Sequence, residues 1–296
     1  MSEAGGTAPT AARDKRTARA PARLGLTDPD AGPRLEALGW WDSSGDGAPV
    51  PGTELVVWAL ARSPDPDLAL MALERLRESQ GEDDWRALDE ALRTDQGLRG
   101  RLFGVLGGST ALGDHLVAHP DRWRTLRTEH TPGRTYDPSV LPDLDERTRV
   151  LLGAVGAEQA SGRPPRATVL EPAGIGVLRL AYRDEVLALA AADLQSVCEP
   201  ELPVVPMEVV AAQLADLASA GLRAALAVAD ATLADRRRDR SDDGDDDEPL
   251  PCRPSGRRLA STSRKASVAI RIIVEASRVA TSVDPSATKM TSMSLT

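Results

Sequence analysis

His115 and His119 stand four residues apart, the spacing that sets two imidazoles on one face of a helix for a zinc ion. Leu116 fills the place where a metalloprotease carries its glutamate, and no third ligand accompanies the pair. The histidines therefore read as helix-face or helix-capping residues. The run Asp242-Asp243-Gly244-Asp245-Asp246-Asp247-Glu248 could attract divalent cations, but it lacks the alternating ligands and closing glutamate of a calcium loop and reads as solvated acidic linker. Gly104, Gly107 and Gly108 suggest a phosphate-binding loop, yet no strand precedes them and no Lys-Ser/Thr follows. A helix-breaking turn is the expectation there. Arg179, Tyr182 and Arg183, together with Asp184, Glu185 and Asp193, describe a salt-bridged helix surface. Cys198 and Cys252 have no spacing that builds a zinc site or a disulfide framework, which points to a reducing cytoplasm. By residue type and spacing alone, no side chain is assigned a catalytic, cofactor-binding or metal-binding role.

The elements that carry these residues read as helices. Arg34 to Leu38 is a short helix running into Gly39-Trp40-Trp41, whose tryptophans anchor it. Thr53 to Ala61 is another, and Ser63-Pro64-Asp65-Pro66 stops it and starts a third that runs to about Glu78. There Leu68, Met71, Ala72 and Leu76 recur at three and four residues, the period of one helix face. Asp83 to Arg93 and Leu98 to Leu106 follow, joined by short loops that make them antiparallel neighbours. Ser109 is placed to cap Ala111 to Ala118, and Pro120 ends that helix. Asp145 to Ala160 and Val177 to Leu194 are two more. Pro206 opens the longest, to about Asp235, with Val209, Ala212, Leu214, Leu217, Leu222, Leu226 and Val228 as its apolar stripe.

Composition supports an all-α class. Aromatic residues are only 3% of the 296, whereas sheets favour aromatic and β-branched side chains. A formal charge of −9 argues against a nucleic-acid partner, which needs a dominant basic face. No run approaches the roughly 20 apolar residues of a membrane span, and the N-terminus lacks an apolar signal core. Residues 1–22 have no apolar periodicity and read as disordered; 23–235 read as the helical domain; 236–253 switch from basic to acidic as a charged linker.

Two segments are more specific than periodicity. Leu102 to Trp123, LFGVLGGSTALGDHLVAHPDRW, resembles the stretch of glutamine synthetase adenylyltransferases in which a Ser begins a helix ending in His-Pro with a Trp nearby. Leu178 to Leu194, LRLAYRDEVLALAAADL, is similar to the same family's Leu-Arg-x-x-Tyr/Arg-Arg helix closing in Ala-Asp-Leu. The likeness covers roughly 24–253, and its Arg-, Asp- and Ala-rich usage looks actinobacterial. The resemblance implies a bifunctional adenylyltransferase/adenylyl-removing enzyme with two nucleotidyltransferase domains, one adding AMP to a tyrosine of glutamine synthetase and one removing it by phosphorolysis. It also implies Mg²⁺ and ATP as cofactors, glutamine synthetase and a PII signal protein as partners, and a cytoplasmic location.

In that family a sequence like Cys252-Arg253 leads into a strand, a Gly-Met-Gly-Lys turn and a Ser-Asp-x-Asp strand whose aspartates hold the metals. Here Pro254-Ser255-Gly256-Arg257-Arg258 stands instead, and the remainder carries only Glu275 and Asp284 as carboxylates. Back-translated with GC-rich codons, complemented and read from Thr296 backwards in a shifted frame, 254–296 gives a sequence resembling the family's catalytic core. The tail is therefore expected to be aberrant, an antisense reading of that core. The resemblance implies an all-α array of antiparallel amphipathic helices that precedes the first core, inactive alone and without bound nucleotide. A non-catalytic helical interaction module and a gene remnant are the alternatives.

Overall fold

The computed structural model describes residues 19–44, 47–127, 141–157 and 164–242. The readings of the N-terminal 1–18, of the acidic run from Asp243 to Glu248, of Cys252 and of the tail 254–296 lie outside the described residues. Within them the architecture is helical, with a two-residue hairpin as its β-structure, and it divides into two compact units.

The first unit holds the described residues up to Arg127 together with Ala190–Val205. After a single helical turn at Arg19–Ala22 come α1 (Ala31–Ala37), β1 (Trp41–Asp42), β2 (Ala48–Pro49), α2 (Glu54–Ala61), α3 (Pro66–Glu78), α4 (Glu82–Thr94), α5 (Gln96–Gly108) and α6 (Thr110–Ala118). A 3₁₀ segment, Pro120–Leu126, follows. The strands pair antiparallel, Trp41 with Pro49 and Asp42 with Ala48. Short polar residues start the helices: the side chains of Asp65, Asp95 and Ser109 each accept from the backbone N–H three residues on, of Leu68 at 2.9 Å, Leu98 at 2.9 Å and Leu112 at 3.3 Å. Pro66, without an N–H to leave unpaired, sits in the first turn of α3. Trp40 is fully buried, stacked on Trp85 at 6.2 Å and edge-on to Phe103 at 6.3 Å, while its Nε1 donates to Asp89 at 2.7 Å. That pairing satisfies the one polar atom of the largest side chain in the core.

α5 is buried on every side from Leu98 to Gly107, the mark of a central helix. It runs straight through Gly107 and Gly108 and ends at Ser109, so the expected helix-breaking turn is corrected. The reason is contact. A Cβ at Gly107 would lie 2.9 Å from the Asp65 carbonyl oxygen, and one at Gly108 would lie 2.9 Å from Leu194 Cδ1. These glycines are packing surfaces within a helix.

The second unit, over its described residues, comprises α7 (Leu144–Ala154), α8 (Ala173–Cys198) up to Leu189, and α9 (Met207–Asp242). Its core joins Leu151, Leu152 and Val155 of the α7 region to Leu178 and to Leu217, Ala220, Ala224 and Val228 of α9. α7 stops at Ala154 rather than reaching Ala160, because Gly156 takes φ +67, a left-handed conformation in which a Cβ would also meet Thr168 Oγ1 at 2.0 Å. α9 extends past Asp235 to Asp242, and Arg236 within it pairs with Glu171 at 3.6 Å. The stripe expected to face the core is also corrected. Leu217 and Val228 of the stripe are buried, but Leu214, Leu222 and Leu226 are exposed, and alanines such as Ala220, Ala224 and Ala225 fill the rest of the inner face, where small side chains let the helix axes approach closely. By length and composition α9 could cross a membrane, yet 56% of its apolar window is buried within the structure, as in a core helix.

Candidate functional site

In the first unit, Gly100, Gly104 and Gly108 recur every four residues and so lie along one face of α5. Added Cβ atoms there would meet the Gln195 carbonyl oxygen at 2.7 Å, Leu194 Cβ at 2.8 Å and Leu194 Cδ1 at 2.9 Å. The glycine face is thus a groove filled by the C-terminal turns of α8. Two buried arginines flank it. Arg99 Nε donates to Glu199 Oε1 at 2.7 Å, and its Nη1 donates to the carbonyls of Leu92 at 3.1 Å and Arg93 at 3.3 Å. Gln96 Nε2 donates to the other oxygen of Glu199 at 3.2 Å. Arg101 Nε donates to Gln195 Oε1 at 3.1 Å and its Nη1 to the Leu126 carbonyl at 3.0 Å. Both charges are held by hydrogen bonds in a buried setting, and for the Arg99–Glu199 pair removing one partner would strand the other at about 3–5 kcal/mol. Sequence reading passed over this junction. Its signal was the four-residue recurrence of Gly100, Gly104 and Gly108, which sets them on one face of a helix.

The second unit repeats the device. Arg147, 2% exposed, donates through Nη1 to Glu185 Oε2 at 2.7 Å and through Nη2 to Gln213 Oε1 at 2.7 Å. Burial pushes the Glu185 carboxyl above its ordinary range, while Arg147 pulls it back down. Glu185 was expected on a salt-bridged surface; it belongs instead to a link among α7, α8 and α9. Burial likewise raises the Asp193 carboxyl and, against the pull of Arg147, the Tyr182 hydroxyl. The Cys198 thiol is pushed to about 12 by burial, then by the charge of Glu199.

The remaining candidates are placed as follows. His115 and His119 share one side of the helix end, with ring centroids 5.1 Å apart and edge-on; His115 is buried and His119 closes α6. Among the described residues, no group of three or more His, Cys, Asp or Glu is placed to hold a metal. Aspartates two apart do occur, but other work occupies them. Asp65 and Asp143 cap helices, and Asp28 binds Arg34 and the Asp30 N–H. Burial pushes the Asp67 carboxyl up, but hydrogen bonds from Thr27 and Asp28, with Arg34 nearby, hold it below its ordinary value. None of these pairs sits on a strand.

No family model matches the chain, and no solved structure does. Curated proteins do. A bifunctional glutamine synthetase adenylyltransferase/adenylyl-removing enzyme of Nocardia farcinica is 46% identical over 212 residues, covering 70% of this chain and 19% of that protein. The protein of the same name from Mycobacterium tuberculosis is 47% identical over 211 residues, 71% of this chain and 19% of its own length. The one from Mycolicibacterium smegmatis is 44% identical over 211 residues, 71% of this chain and 18% of its own. The chain spans about a fifth of the length of these relatives. Over some 70% of its residues it is therefore a homologue of one segment of the actinobacterial bifunctional glutamine synthetase adenylyltransferase/adenylyl-removing enzymes.

Proposed function

We propose that this chain is a helical scaffold of that enzyme family, the part that in a whole enzyme supports the AMP-removing nucleotidyltransferase core, and that it transfers no nucleotide by itself. The observation that carries the reading is the junction of α5 with the end of α8. It brings Gly104 and Gly108 of one segment that resembles the family against Leu194 of the other, and the flanking Arg99, Arg101, Gln195 and Glu199 are spent on holding helices together. The 296 residues contain neither Gly-x-Gly-Lys nor Ser-Asp-x-Asp, the motifs that would bind phosphates and metals. On this reading glutamine synthetase is the protein acted on, Mg²⁺, ATP and a PII signal protein serve parts of a whole enzyme beyond these helices, and the setting is cytoplasmic.

The test is direct. Purified chain is mixed with Mg²⁺ and either ATP plus glutamine synthetase or phosphate plus AMP-modified glutamine synthetase, and the protein mass is followed. No gain or loss of AMP is expected; turnover above a chain-free control would overturn the proposal.

A second reading, a non-catalytic module that docks on glutamine synthetase, draws on Leu55 and Trp58. They are exposed one turn apart on α2, and tryptophan is a frequent anchor of interfaces. It predicts binding by calorimetry that Trp58→Ala abolishes; absence of binding with the unsubstituted chain sinks it.

A further inference from the structure

We draw no further inference here: the strongest candidate, the open apolar side of α9 bearing Met207, Leu214, Leu222 and Leu226, carries no proposal because nothing in the structure shows what covers it.

Discussion

Arg147 carries a charge into the core of the second unit, and Glu185 and Gln213 meet that cost with hydrogen bonds. Arg147→Ala should destabilise the unit by about 3–5 kcal/mol, whereas Arg147→Met combined with Glu185→Leu should restore most of the loss. Urea midpoints measure both. Burial raises the Asp193 carboxyl. A group whose folded pKa is raised gives its full stability below the unfolded value and loses it as pH rises through the folded one. Acidification from neutral pH toward the ordinary carboxylate range should thus add a stabilising increment, which Asp193→Asn should remove in denaturation at the two pH values. Cys198, with its thiol pushed to about 12, should resist alkylation at neutral pH in a Cys252→Ala background until the chain is unfolded, as mass spectrometry would report. Little of this could be read from sequence. Arg147 and Arg149 sit two apart in one helix; only the first shares the face of Leu151, and its partners lie 38 and 66 residues away.

At the scale of the helix, glycines decide how near two elements come. Gly104→Ala should place a Cβ 2.8 Å from that of Leu194, and the strain of about 1–3 kcal/mol should outweigh the helix propensity gained. Gly153→Ala in α7, with nothing within 4 Å, should instead stabilise by roughly 0.5–1 kcal/mol. Thermal melts of the two variants should move in opposite directions. The helices themselves were legible, because capping residues and apolar periodicity mark α3, α4 and α6 to within a residue or two. The inner side of α9 was not. Leucine and alanine both read as apolar, and only the packed neighbours show that Leu217 and the alanines at 220, 224 and 225 face inward while Leu214, Leu222 and Leu226 stay outside.

Across the molecule, the five tryptophans, at 40, 41, 58, 85 and 123, all belong to the first unit. Their fluorescence reports that unit, whereas circular dichroism reports both. Arg147→Ala should accordingly lower the dichroism transition in urea while leaving the fluorescence transition largely in place; a common shift would mean that the two units unfold as one. The all-α class followed from composition and periodicity, and the family from two segments now seen to meet at α5 and α8. The division of the helices into two units was hidden, since one boundary falls inside α8, between Leu189 and Ala190, where the sequence shows no break.

The measurement that bears most directly on the scaffold reading is an exchange in a relative of known name. The homologous segment of the Mycobacterium tuberculosis protein is replaced by this chain's matching residues, and removal of AMP from glutamine synthetase is assayed. Activity within roughly tenfold of the parent, about 1.4 kcal/mol in the barrier, is the expected result. A folded chimaera without activity would contradict the claim that these helices serve as the enzyme's scaffold.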